Sequence, residues 1–332
     1  MSDFFERLEV FLATRNEPDN VTQLTQDAST REYFRVRWKD STAIACVYPE
    51  PFVAAEQNYL DVTALFQAAE LPVAKILDFD EELGVIVQED LGDTILRQVL
   101  ETSGSDEKEP LIDDAIGLIA KIQSATHLAY QTGSVASRLR FDTEKLLWEL
   151  NFFKEHYFTT LENRPLAPDV DERLTGEFRE LANELSTMAS VLCHRDFHTA
   201  NLMLDRRNDL RIIDHQDARI GSPAYDLVSL LLDRITELPP PEWLAKKRVL
   251  LLKKRDELGL PIMMEHKFVN EFQLQTVQRC LKAAGTFSFQ SANRGKTYFI
   301  PFIRPMFRIV LRTLDDLNRF PFLRETLLRE VR

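Results

Sequence analysis

The hydrophobic pattern of the chain changes character once, near residue 90, and that change restricts the fold more than any other feature. Before it, residues 33–38 and 42–48 are short runs rich in β-branched and aromatic side chains. Lys39-Asp40-Ser41 separates them, which predicts a hairpin. Residues 54–70 carry apolar side chains at Tyr59, Val62, Leu65, Phe66 and Ala69, a helical stripe that stops at Leu71-Pro72. Residues 74–78 and 84–88 read as two further strands, and Glu89-Asp90-Leu91-Gly92 breaks the pattern. Beyond it, residues 112–129, 145–157, 174–188, 224–236, 242–258, 265–284 and 303–319 all carry helix-period apolar faces. A strand-rich front and a helical back predict an α+β chain of two unequal lobes, 1–91 and 92–332. The polar run 101–110 reads as an exposed loop within the second lobe.

Composition narrows the function classes. With 332 residues, 44% hydrophobic and 28% charged, and only 10 Gly and 15 Pro, the chain is expected to fold throughout and to bury a large core. A formal charge of −12 argues against a nucleic-acid surface, because phosphate backbones are held by Lys and Arg. Cys46, Cys193 and Cys280 are odd in number and far apart, which suits neither a disulfide framework nor a zinc site and points to a reducing compartment. The first residues, MSDFFERLEVFL, mix acidic with apolar side chains and read as an amphipathic helix rather than a leader. No run approaches the roughly 20 apolar residues that span a membrane. A cytoplasmic protein without a membrane or nucleic-acid partner is expected. A monomer is the default, since nothing in the sequence specifies an oligomer.

The chemistry is concentrated between Val191 and Leu227. An apolar entry, Val191-Leu192-Cys193, leads into His194-Arg195-Asp196; four residues later Asn201 precedes Leu202-Met203-Leu204, a short strand. Residues 205–209 make a turn, 210–213 a second strand, and Asp214 stands at its end. This is the H-R-D-x-x-x-x-N pattern of a phosphotransferase catalytic loop followed by a strand-end aspartate. Phosphoryl transfer needs a carboxylate to orient and deprotonate an attacking hydroxyl, and hard oxygen ligands for Mg²⁺ on the ATP phosphates. Asp196 suits the first role, Asn201 and Asp214 the second.

With these residues in place the sequence resembles the aminoglycoside phosphotransferase and choline kinase superfamily, whose fold is the two-lobed protein-kinase-like one. Residues 27–35 (DASTREYFR), Glu89–Gly92, the 141–157 helix, Asp214–Ala218, Tyr225-Asp226 and residues 278–287 lean toward its amino-sugar kinase branch. That branch phosphorylates the anomeric hydroxyl of N-acetylmuramate and N-acetylglucosamine for cell-wall recycling. The resemblance implies an ATP- and Mg²⁺-dependent kinase for a small-molecule substrate. It further implies that Ser29, Thr30 and Arg31 belong to the turn covering the phosphates, and Glu89, Asp90 and Leu91 to the hinge beside adenine. Other acceptors, such as an aminoglycoside, choline, homoserine or a thiosugar, stay open, as does a non-catalytic member.

One departure stands out. Kinases of this type place a lysine on the third strand to pair ATP phosphates with a helix glutamate, yet residues 42–48 contain none; Cys46 or Tyr48 occupies the place. Lys39, Arg35 and Lys75 are the candidate substitutes, and Glu56, the natural helix partner, reads equally as a solvated side chain. On the acceptor side the resemblance favours Glu149, Arg279, Lys282 and Lys296; Arg279 and Lys282 share a helix face that suits either an anionic group or plain solvation. Trp148, Phe152 and His156 line one face of the 145–157 helix. His198 is a candidate for substrate phosphate or for a structural hydrogen bond, and His215 for the latter. Asp226 is expected to brace the catalytic loop's backbone or cap its helix.

Overall fold

The computed structural model describes residues 3–17, 20–24 and 30–331. The chain forms two compact units, Met1–Gly104 with Thr199–Asp217, and Ser105–His198 with Ala218–Arg332. This grouping differs from a division at residue 91: the first unit runs on to Gly104 and takes in the segment holding Asn201 and Asp214.

The first unit opens with α1 (Asp3–Thr14), β1 (Val21–Gln23), β2 (Glu32–Trp38), β3 (Ser41–Val47), α2 (Asn58–Ala68), β4 (Ile76–Asp80) and β5 (Val85–Glu89). The strands form one antiparallel sheet in the order β1-β2-β3-β5-β4. Side chains alternate across a strand, so each residue of β2 and β3 is committed to one face. Phe34, Val36, Trp38, Ala43, Ala45, Val47, Val85 and Val87 form a core with Leu8, Phe11 and Leu12 of α1. Trp38 stacks on Phe11 with ring centroids 5.9 Å apart. The other face carries Tyr33 opposite Cys46 and Arg35 opposite Ile44. The hairpin turn at Lys39 and the strand-rich front follow the sequence expectation, Lys39 taking a left-handed φ of 53°.

The chain continues through β6 (Thr94–Ile95) and α3 (Leu96–Thr102) to the second unit's α4 (Ser105–Ser124), α5 (Thr126–Thr132), α6 (Val135–Arg138), α7 (Thr143–Lys154), α8 (Pro168–Met188) and β7 (Val191–Cys193). It returns to the first unit for β8 (Leu202–Leu204) and β9 (Leu210–Ile212), which pair in the order β6-β8-β9. The second unit is completed by β10 (Arg219–Gly221), antiparallel to β7, and by α9 (Tyr225–Leu232), α10 (Pro241–Glu257), α11 (Glu265–Arg294), α12 (Ile300–Leu317) and α13 (Pro321–Glu330).

The loop expected over 101–110 is corrected here. Only the Ser103-Gly104 step breaks the helix, and α4 already runs through Pro110. Its polar residues are helix-start residues: Asp106 and Glu107 occupy the first turn, where carboxylates favour the exposed N–H groups. Within the second unit, α11 packs against α7 at Gly285. A Cβ there would lie 2.7 Å from the Phe153 Cα, so only glycine permits the approach. Gly285→Ala should therefore lower stability by about 1–3 kcal/mol, the range for overpacking a filled core. Urea denaturation checks this; an unchanged midpoint would mean that the two helices are free to separate.

Candidate active site

The loop bearing Asp196 is built within the second unit. It leaves β7 at His194, and Arg195 is bent to φ 85°, a conformation that costs energy for a residue with a side chain. What holds it is Asp226, fully buried in the first turn of α9. Its carboxylate accepts the His194 N–H at 2.7 Å and the Arg195 N–H at 3.0 Å. Burial pushes the Asp226 carboxyl up to about 7 against the pull of these two donors. Asp226 thus braces the catalytic loop, as expected. The start of α9 is fixed in turn by Ser222, whose hydroxyl donates to Glu271 of α11 at 2.6 Å and accepts the Ala224 N–H at 3.1 Å.

The Asp196 carboxylate faces α11. Lys282 Nζ lies 2.8 Å from Asp196 Oδ1 and Arg279 Nη2 3.6 Å from the same oxygen, while Arg195 Nε stands 3.7 Å from Oδ2. Arg279 is anchored by donating to Ser229 Oγ at 3.0 Å, and it lies 3.9 Å from Asp233. Burial alone would raise the Asp196 carboxyl, but Lys282, Arg195 and Arg279 outweigh it and hold the group well below the usual carboxylate range. The Asp196 carboxylate is ionised at neutral pH. Lys282 is lowered, by burial and by Arg279, against the attraction of Asp196. Burial also takes His198 down to about 4, so its ring is neutral near pH 7. The His198 N–H donates to the Asp196 carbonyl at 2.9 Å.

Asn201 and Asp214 sit together in the first unit. Asn201 closes a single turn of 3-10 helix, and its carbonyl accepts the Ile213 N–H at 3.1 Å. Asp214 follows β9 with φ 60° and is 45% exposed at its side chain. The Asn201 amide donates to Asp214 Oδ2 at 3.4 Å and the Gln216 amide to Oδ1 at 2.9 Å. The amide's nitrogen edge faces Asp214; with its oxygen turned to that side, the amide and the carboxylate make a hard-oxygen pair of the kind Mg²⁺ takes, with positions left for phosphate and water. Next to them His215 is fully buried, its Nε2 hydrogen-bonded to Thr63 Oγ1 at 2.7 Å and its ring 5.0 and 5.2 Å from those of Tyr59 and Phe66. The residue after the metal-ligand candidate is therefore tied directly to α2.

The nucleotide-side candidates separate. Ser29, with Asp27 and Ala28, lies outside the described residues, and Thr30 is an exposed bend. Glu89 pairs with Arg211 at 2.8 Å and its N–H donates to the Lys75 carbonyl at 2.8 Å. Asp90 takes a two-pronged grip from Arg35 at 2.8 and 3.1 Å, and Leu91 is buried. A polar cleft of about 140 Å³ lies beside Thr42, Glu89, Asp90, Leu91, Arg207 and Arg211. That is less than the roughly 300–1,000 Å³ of ordinary ligand pockets. None of the three proposed lysine substitutes reaches the place near Cys46: Arg35 is committed to Asp90 and Asp93, Lys39 is in the hairpin turn, and Lys75 is exposed. Glu56 is exposed in the 3-10 turn before α2. The cation beside Cys46 is Arg31 instead, 3.6 Å from Asp214.

Of the acceptor-side candidates, Glu149 is 1% exposed and accepts from the Gln278 amide at 2.8 Å, making it an interior link between α7 and α11. Trp148 is over half exposed, with Lys145 Nζ 4.0 Å from its ring centroid, while Phe152 and His156 pack on Phe289. Lys296 is half-buried just past α11. The shared face of Arg279 and Lys282 is as the three-residue spacing predicts. That this face meets Asp196 is not written in the spacing, because it depends on how α11 packs.

Two outcomes follow. Asp226→Ala leaves two backbone donors without their acceptor and should cost about 1–3 kcal/mol for each, read by thermal or urea unfolding; an unchanged stability would remove Asp226 as the brace. Lys282→Met removes the nearest cation from Asp196, so the acidic limb of the kcat/KM pH profile should move to higher pH. A limb that stays in place would mean that the pairing does not tune the base.

The chain resembles proteins of known activity at both the sequence and the fold level. Residues 20–258 match the model of the phosphotransferase enzyme family. An N-acetylmuramate/N-acetylglucosamine kinase of Neisseria meningitidis serogroup B is 31% identical over 306 residues, 89% of this chain and 86% of the relative. A protein of the same name from Pseudomonas aeruginosa is 28% identical over 298 residues, 88% of this chain and 82% of its own. In fold, the crystal structure of the choline kinase LicA from Streptococcus pneumoniae matches with a TM-score of 0.58 at 14% identity, over 93% of this chain and 99% of that one. The strand-rich front and the helical back thus belong to a protein-kinase-like phosphotransferase. The chain is a member of the phosphotransferase enzyme family.

Proposed function

We propose that this protein is an ATP-dependent kinase that phosphorylates the anomeric hydroxyl of N-acetylmuramate and N-acetylglucosamine, and that it works in the cytoplasm on recycled cell-wall sugar. The observation that carries the choice of acceptor is the charge around the base. Lys282 at 2.8 Å, Arg279 at 3.6 Å and Arg195 at 3.7 Å crowd the Asp196 carboxylate. A polycationic acceptor would bring ammonium groups toward these cations, and like charges brought together cost affinity. A neutral amino sugar meets no such penalty, and the lactyl carboxylate of N-acetylmuramate gains a charge-assisted partner. The names of the two sequence relatives support the same acceptors.

In this reading Asp196, ionised at neutral pH, accepts a hydrogen bond from the sugar hydroxyl, orients it and takes its proton as the phosphoryl group transfers. Asn201 and Asp214 hold Mg²⁺, which when bound neutralises charge on the phosphate oxygens. Asp226 keeps the loop backbone rigid so that the base is already positioned before substrate arrives. Thr30, Arg31 and the 89–91 segment serve the nucleotide.

The test is Mg²⁺-dependent ADP release with N-acetylmuramate, N-acetylglucosamine, an aminoglycoside, choline and homoserine as acceptors. Turnover is expected with the two amino sugars alone, reduced about 10²- to 10⁴-fold in Asp196→Ala. Turnover confined to the aminoglycoside, choline or homoserine would refute the acceptor assignment, and no turnover with any of them together with no thermal stabilisation by Mg²⁺–ATP would refute the kinase itself.

A further inference from the structure

Kinases of this architecture neutralise the ATP phosphates with a lysine on the third strand, and β3 of this chain has Cys46 in that region. The Cys46 side chain is buried and shares its sheet face with Tyr33, its partner across β2 and β3. Arg31 precedes β2 by one residue, and side chains two apart near a strand lean to the same face. Its guanidinium comes to rest between two rings, 5.7 Å from the centroid of Tyr33 and 5.6 Å from that of Tyr48. It also reaches Asp214 at 3.6 Å with only 16% of its side chain exposed. One cation is thus held next to the metal-ligand candidate, on the strand face that lacks a lysine, by a neighbouring strand.

We infer that Arg31 takes the place of the absent lysine, its guanidinium pairing the phosphates of the nucleotide while the tyrosine rings hold the fork in position. The assignment rests on the reading of the chain as an ATP-dependent kinase. A guanidinium suits this role because its planar fork matches phosphate oxygens two at a time, and the charge survives burial, since arginine is not deprotonated in proteins. Cation–π contact with the two rings restricts its rotamers, so less freedom is lost when phosphate arrives. Glu56, the expected helix partner of such a lysine, is exposed, and Asp214, Tyr33 and Tyr48 supply steadying contacts to Arg31.

The experiment measures binding rather than turnover, so it stands apart from the identity of the acceptor. Affinities for Mg²⁺–ADP and for adenosine are determined by calorimetry on the wild-type protein, Arg31→Met and Arg31→Lys. Arg31→Met should weaken ADP binding roughly 10- to 100-fold, the loss typical of a charge-assisted hydrogen bond, and leave adenosine binding within about twofold. Arg31→Lys, which keeps the charge but not the fork, should recover part of the loss. ADP binding unchanged in Arg31→Met, or ADP and adenosine weakened equally, would overturn the assignment. If the methionine variant does not fold, the same comparison with Arg31→Gln decides it by the same criteria.

Discussion

The organisation of the catalytic loop depends on one buried carboxylate. The loop turns through a left-handed Arg195, a shape that its own backbone hydrogen bonds cannot sustain, and Asp226 supplies the acceptors that two consecutive N–H groups need. Because Asp226 sits in the first turn of α9, whose start is tied to α11 through Ser222 and Glu271, the loop inherits the rigidity of two packed helices. A fully buried carboxylate is costly to ionise. It is retained here because the donors it satisfies are themselves buried or nearly so, and leaving them unpaired costs more.

Electrostatics then distinguishes the two acids of the loop region. Burial raises the Asp226 carboxyl despite the two N–H donors, whereas Asp196 meets three cations and falls. The same α11 that lowers Asp196 presents Arg279 and Lys282 to whatever approaches the base. On the proposed reading, Arg279 and Lys282 would act on both base strength and acceptor charge preference, so that altering either side chain would change the two together.

Much of this was legible in the sequence, and the parts that were not share a cause. The hairpin, the helical stripe over α2 and the Asp196, Asn201 and Asp214 spacing are local patterns, and local patterns survive into the fold. Asp226 was legible as a carboxylate that would either brace the loop or cap its helix, and the fold selects the brace. The identity of the cation beside Cys46 was not, because Arg31 reaches it across a strand pairing that no short window contains. The pairing of Lys282 with Asp196 spans 86 residues and depends on how α11 packs. The start of α4 was misread for the opposite reason: its polar residues suit a loop and a helix N-terminus equally, and the apolar face begins only further on. Glu149, favoured by the family resemblance, is interior, where Gln278 on α11 offers it a partner inside the core.

The measurement that bears most directly on the proposed chemistry is the position of the phosphate in the product formed from N-acetylglucosamine, read by the scalar coupling between phosphorus and the sugar protons in NMR. Coupling to the anomeric proton is the predicted result. Coupling to the C6 methylene protons instead would contradict it, because it would mean that Asp196 orients a different hydroxyl from the one proposed.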